Sequence, residues 1–329
     1  MEVKKRFFAS SVALILVFGL YATAAWAETK SCVAAHYKVS RVPLRPADIN
    51  QSGEIAGTIS GHKAALWSQQ HWLQEIELLP GYTSGEGVAL NSAGQLVGIA
   101  VDLRTNRRQG FTYKDGKLLA LSSGARPLAI NNAGIIVGEA RTSSNAMSGP
   151  ALWDNLVPIS LGGCCGGTAV AINQKGQIVG KTYDQQGHYH AFLKDKGGDL
   201  RPIGPASDFS SALLLNDAGD YLLQSFPGGL VFYHEGKPSH LTLAPKAPSH
   251  PRAMNSCPVI VGSFGIFPDY YRAFAWDLNR GFQDLNSLIP PDSGWKLQEA
   301  TSINEHGDIV GWGELHGEES VGFLLTPLP

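Results

Sequence analysis

Four cysteines lie beyond the first 27 residues: Cys32, Cys164, Cys165 and Cys257. An even number in an oxidising compartment suits disulfides, and four cysteines allow three pairings. The run Gly162-Gly163-Cys164-Cys165-Gly166-Gly167 stands out, because adjacent cysteines close a small ring only through an unusual backbone that flanking glycines permit. The favoured pairing is Cys164 with Cys165, and Cys32 with Cys257 if their strands meet. The alternative is four free or partly paired thiols. A thiolate metal centre would call for a second cysteine pair or a histidine at ligand spacing, which is missing, so no metal and no cofactor are expected.

Other candidates for chemistry are sparse. His188 and His190 share one face of a strand, as metal ligands would, but that is also how two exposed histidines at a hairpin lip are arranged. Asp48, Asp220 and Asp308 flank turns, where acidic residues are ordinary, and no clustered calcium-binding loop occurs. There is no Gly-x-Ser-x-Gly elbow and no motif placing a nucleophile beside a base. Carboxylates from distant segments could still converge in space, where sequence spacing is blind. Trp67, Trp153 and Trp276 recur in a pattern and read as core, whereas Trp72, Trp295 and Trp312 fall off it. Exposed aromatics on loops stack sugars or contact proteins, so these three are the candidate ligand-binding residues, with packing between structural units as the competing role.

The elements that must position these residues form an internal repeat. An apolar residue leads into Asn-x-x-Gly and an apolar run at Asn50, Asn91, Asn131, Asn173, Asn216, Asn255 and Asn304, at spacings of 41, 40, 42, 43, 39 and 49. Asn can hydrogen-bond the backbone two residues on, and Gly at the fourth position accepts positive φ, so each copy predicts a tight β-hairpin. A second Gly follows seven residues after the Asn in six copies (57, 98, 138, 180, 262 and 311), predicting a bend or a close backbone approach. A third strand carries small-aromatic-aliphatic residues, as in Ala151-Leu152-Trp153 and Ala273-Phe274-Ala275-Trp276. A weaker fourth alternates in polarity, as in Glu75-Ile76-Glu77-Leu78 and Ser239-His240-Leu241-Thr242-Leu243. Pro158, Pro202 and Pro238 place this fourth strand at a sheet edge.

Four strands per unit of roughly 40 residues is the propeller pattern. The expected fold is therefore all-β: a seven-bladed β-propeller with four-stranded blades. The seventh unit ends without a fourth strand, while Tyr37-Lys38-Val39-Ser40-Arg41-Val42 supplies one with no first three, so the N-terminal strand is predicted to complete the last C-terminal blade. Two copies deviate. Pro258 replaces the turn glycine of the sixth, which must turn differently, and Leu223 replaces the later glycine of the fifth, which is expected to be the least regular blade.

The motifs His190-Ala191-Phe192-Leu193 and Arg272-Ala273-Phe274-Ala275-Trp276 each follow an upstream Asn-turn and Ile-Val-Gly. Together with the closing Asp284-Leu285-Asn286-Ser287-Leu288-Ile289-Pro290-Pro291 and Gly322-Phe323-Leu324-Leu325-Thr326-Pro327, they resemble the bacterial extracellular HAF repeat family. The resemblance spans essentially the whole chain after the leader. It implies export and a propeller-like repeat fold, and it implies no activity.

Lys4, Lys5 and Arg6 precede an apolar run from Phe7 to Ala25, and Ala25-Trp26-Ala27 is a small-x-small cleavage pattern. Residues 1–27 thus read as a signal peptide and 28–329 as a single propeller domain, destined for the periplasm or the exterior. The competing reading is an uncleaved anchor. Losing Glu2, Lys4, Lys5 and Arg6 takes the formal charge from −2 to −4, which disfavours a nucleic-acid partner. The expected function is that of a monomeric exported binding or interaction module for a glycan, an envelope component or a protein, not an integral membrane protein. The alternatives are a propeller enzyme acting on polysaccharide at its central funnel, and a structural surface protein.

Overall fold

In the computed structural model, residues 32–60, 62–142, 145–204, 209–244, 247–266 and 270–329 are described; the signal peptide expected over 1–27 lies outside them. They form seven antiparallel four-stranded sheets, six of which take four consecutive strands in order from innermost to outermost. Blade 1 runs through Arg45–Ile49, Ile55–Ile59, Lys63–Ser68 and Trp72–Glu75. The innermost strands of blades 2 to 7 are Ser84–Leu90, Arg126–Ile130, Gly167–Ile172, Phe209–Leu215, Ser249–Met254 and Trp295–Ile303. In blade 7 the outermost strand is Tyr37–Val42, paired from Tyr37 with Pro327 to Val42 with Gly322, so the predicted closure is present.

The core lies between blades. One cluster joins Leu214, Leu222 and Phe232 of blade 5 to Met254, Ile260, Phe274 and Trp276 of blade 6. Another joins Val97 of blade 2 to Ile130, Ile136 and Trp153 of blade 3. Phe192, Phe274 and Phe323 occupy the third-strand position opposite the strand-end glycine and Phe232 the position after it; all four are fully buried, each contributing about 1.5–3 kcal/mol relative to an exposed side chain. Trp153 and Trp276 are core as expected, and Trp67 packs half-buried against the cluster between blades 7 and 1.

Every innermost strand carries a β-bulge in the same place, between the fourth and second residues before the Asn. The glycine seven residues after the Asn is explained by it. A Cβ at Gly57, Gly98, Gly138, Gly180, Gly262 or Gly311 would overlap the carbonyl oxygen of the innermost-strand residue just before the bulge, and at four of them also the buried Phe ring opposite. Blade 5 departs from expectation: with Leu223 at this position it keeps the same bulge and register. Leu223 pairs with Val231 where blades 2, 4, 6 and 7 have Phe, so a larger second-strand side chain is matched by a smaller third-strand one. Blade 6 does turn differently. In the other six blades the turn glycine donates to the Asn carbonyl, whereas Pro258 has no N–H and Val259 N instead donates to the Cys257 carbonyl.

The outermost strand of blade 1 is Trp72–Glu75, slightly earlier than the alternation at Glu75–Leu78 suggests; Ile76 is buried and extends the ladder through its N–H to Ala64 O.

Candidate functional site

Each innermost strand runs from one end of the ring to the other, finishing at the repeat Asn, which fixes two unlike ends. At the Asn end the seven side chains are 1–5% exposed and perform two tasks at once. The Oδ1 atoms accept backbone N–H groups of their own turns, as from Ala133 and Ile135 to Asn131, both at 3.1 Å. The Nδ2 atoms donate to the backbone carbonyl of the next repeat Asn, in the sequence 50 to 91, 131, 173, 216, 255, 304 and back to 50, all at 3.0–3.2 Å. The second Nδ2 hydrogen is taken four residues on by Glu54, Gln177, Asp220 and Asp308 in their own turns. Asp220 and Asp308 are thus parts of this collar rather than incidental turn residues.

A second tier follows the Asn. Ser92 N donates to Asn132, Asn132 N to Gln174, Gln174 N to Asp217, Ser256 N to Glu305 and Glu305 N to Gln51. Among the described residues the two unmade links are those whose acceptor would be Ser92 or Ser256, hydroxyls too short to reach the neighbouring blade. This end is a structural collar.

The opposite end is the mouth of the central channel, and there the blades differ from one another. The unpaired bulge residues are small or polar in blades 1, 6 and 7 (Ala47, Arg252, Thr301) and apolar in blades 2 to 5 (Val88, Leu128, Val170, Leu213). A cavity of about 1010 Å³ opens on the polar side, lined among others by Ala47, Arg252 and Thr301. Arg252 Nε lies 2.7 Å from Glu299 Oε1, and Arg41 makes a two-pronged pair with Glu318 at 3.0 and 2.7 Å. The Arg45 guanidinium lies 4.4 Å over the Trp312 ring, and Glu86 of blade 2 lines the same cavity.

Asp48 lies further along the same strand, between Ala47 of the cavity lining and Asn50 of the collar. Its Oδ1 accepts from Ser302 Oγ of blade 7 at 2.6 Å and from Ile49 N at 2.9 Å, and its Oδ2 from Leu90 N of blade 2 at 2.8 Å. It therefore ties three innermost strands, a role that its position near a turn does not reveal. The residue borders the channel, yet the carboxylate is deeply placed, and burial raises its pKa above the ordinary 3.8 against the pull of the Ser302, Leu90 and Ile49 bonds. A carboxylate with a raised folded-state pKa favours the fold when neutral, so its contribution declines as pH rises through the folded value. Asp102 and Asp184 are shifted downward and act only below the usual carboxylate range. The melting temperature is accordingly expected to gain a contribution from this group as pH is lowered toward the ordinary carboxylate value of 3.8, and that gain to disappear in Asp48→Asn. An unchanged gain in the variant would refute the assignment.

The three off-pattern tryptophans are not brought together. Trp312 belongs to the mouth cavity. Trp72 is 78% exposed on the outermost strand of blade 1. Trp295, expected in a loop, is instead the first residue of the blade 7 innermost strand and packs edge-on against Phe323 at 6.1 Å between ring centres. The cysteines pair as favoured: Cys32 with Cys257, their Cα atoms 6.1 Å apart, and Cys164 with Cys165. The latter pair lies in the loop entering blade 4 at the mouth, with positive φ at Gly162, Gly163, Gly166 and Gly167. His188 and His190 both approach Asp184 Oδ2, at 3.3 and 3.4 Å. Among the described residues no group of three or more His, Cys, Asp or Glu is arranged to hold a metal ion, and no helix is long and apolar enough to cross a membrane.

What sequence reading missed is the pairing of charges at the mouth. The signal was available in register: the fifth residue before each Asn is charged in blades 1, 2, 3 and 7 (Arg45, Glu86, Arg126, Glu299).

Seven closed sheets around a channel define the chain as a seven-bladed β-propeller. No family model matches the sequence, and no curated protein matches it. Among solved structures it is similar in fold to YCF48 from Cyanidioschyzon merolae, with a TM-score of 0.52, 12% identity, and 89% of this chain and 99% of that one covered. It is also similar to a puromycin hydrolase, with a TM-score of 0.51 and 13% identity over 87% of this chain and 53% of that one.

Proposed function

We propose that the protein is an exported binding module of the HAF repeat type whose mouth cavity takes a saccharide. The observation that carries this reading is the composition of the cavity wall. Arg41 with Glu318 and Arg252 with Glu299 cancel in charge, and Arg45 on Trp312 shares the wall with the carboxylate of Glu86. A ligand of strong net charge meets repulsion from half of this wall, whereas hydroxyl groups both donate and accept and suit guanidinium and carboxylate alike. The two disulfides accord with an oxidising compartment outside the cytoplasm.

Isothermal titration against a panel of bacterial oligosaccharides tests it. Wild-type protein is expected to bind at least one, and Arg45→Ala to weaken that binding by roughly 10- to 100-fold, the worth of a charge-assisted hydrogen bond. An Arg45→Ala variant that binds as well as wild type, or no binding by the wild type, would overturn the reading.

A second reading, turnover of the bound saccharide, is favoured by one observation: Glu86 and Glu299 reach the same cavity from blades 2 and 7, as paired acid–base carboxylates do. Release of new reducing ends, abolished in Glu86→Gln and Glu299→Gln, would establish it.

A further inference from the structure

Blade 4 lies across the ring from the boundary between blades 7 and 1, where the cavity opens. Its mouth edge carries a group of aromatic rings that the mouth cavity does not include. Tyr183 and Tyr189 are directly opposed on adjacent strands, with ring centres 6.3 Å apart and planes at 66°. Tyr189 lies 5.3 Å from Phe209, the first residue of the blade 5 innermost strand, and His188 packs edge-on to the same ring at 4.9 Å. The Lys181 ammonium stands 5.8 and 5.3 Å from the two tyrosine centres.

The group is half-exposed and firmly held. Tyr183 N donates to Gly166 O at 3.2 Å, which docks the glycine-rich loop bearing the Cys164–Cys165 bridge against it, and Cys164 Sγ lies 3.6 Å from Tyr183 O. Asp184, bonded to the His188 N–H at 2.8 Å, fixes the hairpin between the tyrosines. Rings at steep angles to one another, with a cation, a carboxylate and imidazoles at the rim, match a pyranose: C–H faces pack on the rings while equatorial hydroxyls meet polar atoms at the edge.

We propose that Tyr183, Tyr189 and Phe209 form a second saccharide subsite, so that the ligand is a glycan chain lying across the channel mouth from the Arg45 cavity to blade 4. This rests on the saccharide reading of the cavity and adds chain length as the determinant of affinity, because a second contact made by an already tethered ligand is effectively intramolecular.

The test is titration of wild type, Arg45→Ala, the double variants Tyr183→Ala/Tyr189→Ala and Tyr183→Phe/Tyr189→Phe with disaccharides and octasaccharides of neutral-hexose, amino-sugar and uronic-acid polymers, with melting temperatures as a control for folding. Wild type is expected to bind one octasaccharide about tenfold or more tightly than its disaccharide. The alanine pair should lose that advantage while keeping disaccharide affinity, the phenylalanine pair should retain it, and Arg45→Ala should weaken both lengths. If the advantage survives in the alanine pair, or if both lengths weaken equally, the second subsite is refuted and the cavity reading stands. If no sugar of either length binds wild type, both fall.

Discussion

Replacing Asn131 by alanine is expected to lower the free energy of unfolding by about 3 kcal/mol, read as a fall in the urea midpoint at unchanged slope. Three bonds are lost together: those from Ala133 N and Ile135 N, and that to the carbonyl of Asn173. The bond to the Asn173 carbonyl is buried and the two within the turn are part-buried, so water replaces the lost partner only incompletely. Asn131→Asp separates the two tasks of the side chain. It keeps the acceptor for the turn but replaces the donor by an oxygen aimed at a carbonyl, so it should destabilise the protein at neutral pH and recover in part on acidification. An Asp variant as stable as wild type at neutral pH would show that the bonds between blades contribute nothing.

Cutting the Cys32–Cys257 bridge should have the other large effect. The bridge spans 225 residues and joins the segment that completes blade 7 to the turn of blade 6. A loop of that length corresponds to about 5 kcal/mol of chain entropy, and measured bridges give about 2–5 kcal/mol. The same segment is held by Asp277 of blade 6, whose Oδ2 accepts from Cys32 N at 3.1 Å and Val33 N at 3.0 Å, and by Tyr37 N donating to Leu288 O at 2.8 Å. Cys32→Ser/Cys257→Ser is therefore expected to fold but to melt at a clearly lower temperature, and reductant to lower the melting temperature of the wild type by more than that of the variant, which retains only the Cys164–Cys165 bridge. Equal melting temperatures for the two oxidised proteins would contradict this.

Blade number and strand order were legible because local chemistry recurs from copy to copy, and closure because one segment, Tyr37–Val42, supplies the strand that the last copy lacks. An Asn turn, a strand-end Gly and an edge Pro each declare a backbone state. The trade of Leu223 against Val231 was not legible, since it depends on which residues of two strands face each other. The site was harder still. Trp295 looks like a loop residue by spacing but begins a strand, because the insertion ahead of it is partly taken up by the short helical turn Leu285–Ser287. Asp48 looks like a turn residue until Ser302 and Leu90 arrive from blades on either side of it. Arg45, Glu86 and Glu299 reach one cavity only through the ring: their shared place five residues before the repeat Asn marks one end of the channel, but not which of the charges there share a cavity. The collar was half-legible: Asn was read as a turn former, but its donor side is spent on a residue some forty positions away.

The collar also governs how such a chain can vary by duplication. A linear array of repeats gains or loses units at little cost, because each touches only its neighbours and the ends are capped. Here every repeat amide is bonded to the next around a closed circuit, and Asn304 returns to Asn50. Inserting or deleting one unit would change the radius at which all the remaining links must form, so unequal recombination between these similar segments would be penalised at every blade at once. Copy number is set by the circumference of the ring, while the loops of the mouth stay free to diverge.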